Sequence, residues 1–190
     1  GRYDLAGRFY RLKKKLLGLD TLYDYDRYAP IQDATTTYKW DRARSLVLDA
    51  YGTFHPRMAD VARRFFEEHW IDAALSEGKR SGAFSHSTVP SAHPYVLLNY
   101  TERARDVQTL AHELGHGVHQ YLARGQGALQ QSTPLTTAET ASVFGEMLVF
   151  QELMQTQDTP EDELALLISK IDDTMATVFR QVAMNRFEDR

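Results

Sequence analysis

The chain has 190 residues, enough for about one domain, and its 43% hydrophobic content is sufficient to bury a core. Its 22 basic and 26 acidic residues give a formal net charge of -4, so charge offers no case for binding nucleic acid or a membrane surface. Cysteine is absent, which excludes disulfides and thiolate metal sites and fits the cytoplasmic location that we predict. The short apolar runs and the opening residues predict neither a membrane span nor a signal peptide.

Three helices are predicted in the first 70 residues. The first covers residues 3–17 and has one apolar face, and the basic run at positions 11 and 13–15 is expected to be its solvated side rather than a binding patch. A long ordered connection rich in tyrosine follows over residues 18–37. The second helix is predicted over 39–51, and Pro56 opens the third, which is expected to run to Trp70.

The character of the sequence changes between residues 71 and 101, where turn formers separate two short strand candidates at 83–86 and 95–100. They predict a small sheet just before a helix over 109–123. An extended peptide could pair with the edge of this sheet through backbone hydrogen bonds, or the sheet could only close the core, and the sequence leaves both open. Two more helices are predicted near 136–156 and 160–187, so the fold is expected to be mainly α with one small sheet.

The helix over 109–123 contains the sequence HELGH at positions 112–116, an HExxH pattern. Residues four apart lie one turn above each other on a helix, so His112 and His116 can direct two imidazoles at one point. Glu113 lies beside that point and can take a proton from bound water without having to be a ligand. This arrangement is typical of a zinc protease.

The alternative interpretation of this pattern is a polar helix face that carries two solvated histidines. Three features weigh against it. The helix is otherwise largely apolar, so its polar residues need partners. Gly115 costs about 1 kcal/mol relative to alanine in mid-helix, which a close approach of metal or substrate would explain. A third ligand also follows downstream.

Two carboxylates seven residues apart, Glu139 and Glu146, compete for the role of third ligand. They lie about 10 Å apart along a helix axis, so only one can coordinate the ion. Glu139 is preferred because its neighbours are small, and the alternative is that it caps the helix behind Thr136. Glu146 is expected to support the site by accepting a hydrogen bond from a ligand histidine or another buried donor. His119 is expected to pack or support the ligands rather than to be a fourth ligand, because it lies about 60° from His116 around the helix.

The segments GKRSGAFS, HPYVLLNYT, LAHELGHGVHQYL and AETASVFGEML, in this order and spacing, resemble the oligoendopeptidase F branch of the thimet-oligopeptidase-like zinc peptidases. The similarity continues through KKKLLGLD and FRQVAMNRFE and so covers nearly the whole chain. The resemblance implies a zincin-like helical metallopeptidase core with the small sheet next to the HExxH helix. It also implies one zinc ion per chain held by His112, His116 and Glu139, with Glu113 as general base.

Members of the resembled family are several times longer, and a large helical N-terminal part forms the other wall of their substrate channel. We therefore expect residues 1–190 to be a single catalytic-core domain, a fragment that lacks this wall and a C-terminal segment. The isolated fragment is expected to bind metal but to hydrolyse peptides with low activity. Its expected partners are the missing parts of its own full-length chain and short peptide substrates. The backbone of Gly82, Ala83 and Phe84 is our candidate for holding the peptide.

The function expected from this sequence is a zinc-dependent endopeptidase that hydrolyses short oligopeptides. Zinc-bound water is the expected nucleophile, and Glu113 takes its proton and delivers it to the leaving amine. Two alternatives stay open. One is a non-catalytic module in which zinc only joins two helices, and the other is an inactive fragment.

Overall fold

Helices dominate the computed structural model, which describes residues 4–32 and 36–190. The helices are α1 (Leu5–Leu16), α2 (Trp40–Phe54), α3 (Pro56–Glu67), α4 (Ala104–Ala123), α5 (Leu135–Gln155), α6 (Pro160–Met175) and α7 (Gln181–Glu188). The strands are β1 (Ile71–Asp72), β2 (Phe84–His86) and β3 (Tyr95–Leu97). The predicted fold class, mainly α with a small sheet beside the HExxH helix, is confirmed.

Backbone contacts group the chain into two units. One is Thr36–Thr156, which contains α2 to α5 and the sheet, and the other combines Gly1–Thr35 with Gln157–Arg190. These units are defined by contacts between residues and do not test whether residues 1–190 form a single catalytic-core domain, which stays a prediction.

Helix α4 forms the centre of the unit over residues 36–156. It packs against α2, α3, α5 and both longer strands. Apolar positions recur along it every three or four residues, which places them on one face of the helix. These side chains are 0–6% exposed, and they are Val107, Leu110, Ala111, Leu114 and Val118. The HExxH sequence is therefore mounted on a helix that the surrounding core holds on several sides.

The sheet has the strand order β1-β3-β2, so β2 is an outer strand next to α4. Strand β1 is parallel to β3, whereas β2 is antiparallel to it with Ser85 opposite Val96. The backbone N–H of Val96 donates to the carbonyl of Trp70 on the β1 side. In an antiparallel pair, the backbone groups of two opposed residues point either toward each other or away from each other. Because those of Val96 point toward β1, those of Ser85 point away from β3, to the outer edge. Only β1, which has two residues, was missing from the predicted sheet.

Glycines allow α4 and α5 to approach closely. A Cβ atom on Gly115 would lie 2.7 Å from both the Ala141 carbonyl oxygen and the Ser142 Cα. A Cβ atom on Gly145 would collide with the hydroxyl of Tyr51. The expectation that Gly115 makes room for metal or substrate is therefore wrong, because it makes room for the backbone of α5.

The second unit holds a buried ion pair. Lys13 has no exposed surface and pairs with Asp172 of α6, and its Nζ also donates to the carbonyl of Arg27 at 2.5 Å. The expectation that the whole basic run of α1 is solvated is wrong for Lys13. It lies four residues after the buried Phe9, so the helical repeat places it on the buried face.

Some predicted helix boundaries shift. The third helix ends at Glu67 rather than at Trp70, and His69 adopts a φ of 59° in the turn that leads to β1. The predicted helix over 160–187 is interrupted by a π-helical turn at Ala176–Arg180. Residue 3 of the first predicted helix and residues 33–35 of the long connection lie outside the described residues. None of the helices in the described part is long and apolar enough to cross a membrane, and the cytoplasmic location stays a prediction.

Candidate metal centre

Two histidines of α4 and one glutamate of α5 converge. Each of His112, His116 and Glu139 contributes a donor atom, and these atoms all lie within 4.8 Å of one another. His112 Nε2 lies 3.4 Å from Glu139 Oε2, and His116 Nε2 lies 3.6 Å from Glu139 Oε1. The structure thus brings together the three residues that the sequence predicts as zinc ligands.

The second nitrogen of His112 contacts Glu146. Its Nδ1 lies 3.0 Å from Glu146 Oε2, a hydrogen-bond distance, which leaves Nε2 facing Glu139. Burial lowers the pKa of His112, but the hydrogen bond to Glu146 and the charges of nearby carboxylates outweigh it and raise the pKa overall. A carboxylate that accepts Nδ1–H fixes the tautomer whose Nε2 lone pair is available to a metal. This is the kind of contact that the sequence predicts for Glu146.

His116 lies deeper, with its side chain 14% exposed. Burial lowers its pKa, against the opposing effect of Glu139. A lowered pKa favours the neutral imidazole, which is the form that binds metal ions.

Glu139 lies in the second turn of α5 with its side chain 45% exposed. The helix begins at Leu135 with Pro134 at its N-cap, so Thr136 lies inside the first turn and is not the cap. The carboxylate turns toward the histidines and accepts a hydrogen bond from Ser142 Oγ at 3.0 Å. This geometry does not support the capping alternative for Glu139.

The carboxyl group of Glu113 lies beside the converging donors and is largely buried, since the residue is 7% exposed. Burial is the main cause that raises its pKa to about 7, while the charge of His112 acts in the opposite direction. A carboxyl group with a pKa near neutrality can both accept and release a proton under physiological conditions.

These side chains form the floor of an open cleft of about 510 Å³. The cleft is also lined by Phe84 and Ser85 of β2, by the flanking residues Ala83 and Ser87, and by residues between Gln131 and Leu135. Of the three residues predicted to hold a peptide, Ala83 and Phe84 line the cleft, whereas Gly82 is not among its lining residues. The carbonyl of Gly82 instead accepts a hydrogen bond from Asn99 Nδ2 at 3.1 Å.

His119 is the last of the predicted site residues. It does not line the cleft, and its buried Nδ1 has no hydrogen-bond partner in the part of the chain that the structure describes. It lies close enough to His116 for its charge to lower the pKa of that residue. Its supporting role stays a prediction.

Sequence reasoning missed three residues that hold the site. Tyr51 is fully buried and donates to the carbonyl of Ala111 at 2.6 Å, immediately before His112. Gln120 accepts a hydrogen bond from Ser85 Oγ at 2.8 Å, which ties β2 to α4. The third is Ser142, and the spacing of three between a glutamate and a serine on one helix was a signal that could have found it.

Named proteins of similar sequence match nearly the whole chain. The chain is 31% identical to oligopeptidase PepF of Bacillus subtilis, over 97% of this chain and 28% of the relative. It is 30% identical to an oligoendopeptidase F homolog of Lactococcus lactis subsp. lactis, over 98% of this chain and 31% of the relative. The chain thus spans less than a third of the length of these relatives.

Solved structures agree with this similarity. A crystal structure from Chlamydophila abortus, named as a candidate peptidase, superposes with a TM-score of 0.82 at 32% identity, over 97% of this chain and 31% of that one. The structure of PZ peptidase A with an inhibitor superposes with a TM-score of 0.78 over 96% of this chain and 33% of that one. Its 19% identity supports the fold alone. The family model of peptidase family M3 matches residues 5–190, and the chain therefore belongs to peptidase family M3.

Proposed function

We propose that this chain carries the catalytic metal centre of a zinc-dependent endopeptidase that hydrolyses short oligopeptides. Membership of peptidase family M3 supports a peptidase. The observation that carries the proposal further is the convergence of His112, His116 and Glu139 at the floor of an open cleft, with Glu113 beside them.

The spacing of the donor atoms fits one zinc ion per chain. Two donors on a tetrahedral zinc ion lie about 3.3–3.6 Å apart when each bond is about 2.0–2.2 Å long. Glu139 lies 3.4 Å from His112 through Oε2 and 3.6 Å from His116 through Oε1, and all the donor atoms of the group lie within 4.8 Å of one another, which supports a single shared ion. Two imidazoles and one carboxylate are also a donor set that catalytic zinc uses.

The number of donors favours a catalytic centre over a structural one. Structural zinc sites have four protein ligands, whereas catalytic sites have three and keep one position open. Within residues 4–32 and 36–190, the group that could hold an ion consists of His112, His116 and Glu139, and no fourth histidine or acidic donor joins it. Because the carboxylate of Glu139 is also partly exposed to the cleft, we prefer the peptidase to the non-catalytic zinc module or the inactive fragment.

Each residue of the centre has a distinct task. His112 and His116 would hold the ion through neutral imidazoles, and Glu139 would add one negative charge. When bound, zinc supplies Lewis acidity that lowers the pKa of water and polarises a carbonyl group. The Glu113 carboxylate would accept the proton of the attacking water and deliver it to the nitrogen of the leaving amine. A pKa near neutrality suits a group that must do both.

The outer strand β2 supports a role in holding the substrate. The backbone of Ser85 faces the outer edge, where its carbonyl accepts a hydrogen bond from Gln120 Nε2 at 3.3 Å. Ala83 lies two residues earlier on the same edge and lines the cleft. An extended peptide can add to such an edge through main-chain hydrogen bonds, which do not depend on its side chains. We therefore keep Ala83 and Phe84 as substrate-binding candidates.

Metal removal and restoration test the proposal. Dialysis against a chelator should abolish hydrolysis of an internally quenched peptide, and one equivalent of zinc should restore it. Mass spectrometry of the products should show cleavage at internal bonds. Hydrolysis that persists in the chelated protein, or products shortened from one end only, would contradict a zinc endopeptidase.

A further inference from the structure

Ser142 combines complete burial with a polar side chain that contacts a candidate zinc ligand. The residue is 0% exposed, at the closest contact between α4 and α5. Its Oγ lies 3.0 Å from Glu139 Oε2 and 3.0 Å from the Glu139 carbonyl oxygen. The hydroxyl is therefore placed between the backbone of the helix and the carboxylate of the candidate ligand.

Glu139 is the candidate ligand that most needs such support. Its side chain is 45% exposed, against 26% for His112 and 14% for His116. A glutamate also loses more rotamer freedom than a histidine when it is fixed in one conformation. A hydrogen bond from a buried donor restricts the carboxylate before any ion arrives and so lowers the entropic cost of binding.

Few residue types could replace serine at this position. Ser142 has no exposed surface and lies where the backbones of α4 and α5 meet at Gly115, so a larger side chain at this position would have to displace its neighbours. Alanine would keep the helix contact but lose the hydroxyl, and threonine would add a methyl group where no surface is exposed. Serine provides a donor within the space that the packing leaves.

We propose that Ser142 is a positioning residue of the metal centre: its hydroxyl holds Glu139 Oε2 toward His112 and His116 and thereby raises the affinity for zinc. The inference rests on the proposed function, since it assumes that these three residues bind the ion. It assigns to Ser142 no contact with metal or substrate. Its effect should therefore appear in zinc affinity and depend on the presence of the Glu139 carboxylate.

The test is the zinc dissociation constant of Ser142→Ala, measured by competition with a chromophoric chelator. We expect binding to weaken by about 10–100-fold, as is common when a hydrogen bond to a ligand is removed. Thr140→Ala is the matched control, because its hydroxyl donates to the carbonyl of Thr136 on the same helix at 2.7 Å. This control should change zinc affinity less than about twofold.

Two further measurements separate positioning from a general effect on folding. The metal-free Ser142→Ala and wild-type proteins should have similar thermal midpoints, because alanine preserves the contact with Gly115. In a Glu139→Ala background, Ser142→Ala should not weaken the residual zinc binding further, since its target is gone. An equal loss of affinity in both backgrounds would overturn the proposal.

The possible failures are distinguishable. Zinc affinity of Ser142→Ala equal to that of the wild type would overturn the role of Ser142 and leave the metal centre intact. A wild-type protein that binds no zinc would overturn the proposed function and this inference together.

Discussion

Two pairs of polar side chains in this protein, one buried and one partly buried, have different roles. Lys13 and Asp172 join α1 to α6, whereas His112 and Glu146 join α4 to α5. The lysine has no exposed surface, and its Nζ contacts only acceptors from its own unit among the described residues. The histidine uses one nitrogen for its carboxylate and keeps the other turned toward Glu139 and the cleft. The pair that leaves a nitrogen facing the cleft belongs to the candidate metal centre, whereas the lysine pair joins two helices.

The largest effect on zinc affinity is expected from Glu139, which faces the free nitrogen of His112. Glu139→Ala removes the only carboxylate of the group that could hold an ion among the described residues, and it should abolish tight zinc binding. The loss should exceed the roughly 10–100-fold that removal of a supporting contact causes. Isothermal titration with zinc checks this, and a variant that retains wild-type affinity would remove Glu139 from the centre.

Breaking the first pair should affect folding and not the metal. Lys13→Met leaves the Asp172 carboxylate buried without its cation, which should reduce the free energy of unfolding by about 3–5 kcal/mol. Urea denaturation measures this loss, and the zinc affinity of the folded protein should remain unchanged. Lys13→Met combined with Asp172→Leu should recover much of the stability, and a double variant as unstable as the single one would contradict the assigned cause.

The same variant should respond to pH in a defined direction. Burial is the main cause that raises the pKa of Asp172, and it outweighs the opposing effect of Lys13. A carboxyl group with a raised pKa in the folded state contributes stability below its unfolded pKa and loses it as the pH rises through the folded pKa. Since loss of Lys13 raises the pKa of Asp172 further, the destabilisation of Lys13→Met should be smaller at pH 4 than at pH 7. If the loss of unfolding free energy in Lys13→Met were larger at pH 4 than at pH 7, this prediction would be wrong.

A smaller loss of zinc affinity is expected from Glu146, which holds the other nitrogen of His112. Glu146→Ala leaves all three candidate ligands in place but frees the ring of His112, so zinc affinity should fall by about 10–100-fold. The comparison with Glu139→Ala under the same titration conditions is decisive for the roles. A larger loss in Glu146→Ala than in Glu139→Ala would reverse the assignment of the two carboxylates.

The sequence predicted the parts of this structure that depend on local spacing. The interval of four between His112 and His116 implied a shared direction on a helix, and the interval of seven between Glu139 and Glu146 implied a shared face. Which carboxylate met which histidine depended on the register of α5 against α4. Sequence periodicity does not contain that register, and it is set by the contact of Gly115 with Ala141 and Ser142.

The failures of the sequence analysis have the same origin. Lys13 was expected in solvent because most charged residues are there, but its acceptor Asp172 lies 159 positions away in sequence. The expectation that Gly115 approaches metal or substrate failed because the sequence around it does not reveal that α5 packs against this position. Strand β1 has two residues and is defined by its pairing with β3, so no local sequence pattern predicts it.

The most direct test of the central claim separates metal binding from proton transfer at one residue. Glu113→Gln preserves the shape of the side chain but removes its ability to accept a proton. We predict that this variant retains one zinc ion per chain by atomic spectroscopy and that any peptide hydrolysis of the wild type falls by at least about 10²-fold. Loss of zinc from Glu113→Gln, or hydrolysis at the wild-type rate, would contradict a centre in which His112, His116 and Glu139 hold the metal and Glu113 moves the proton.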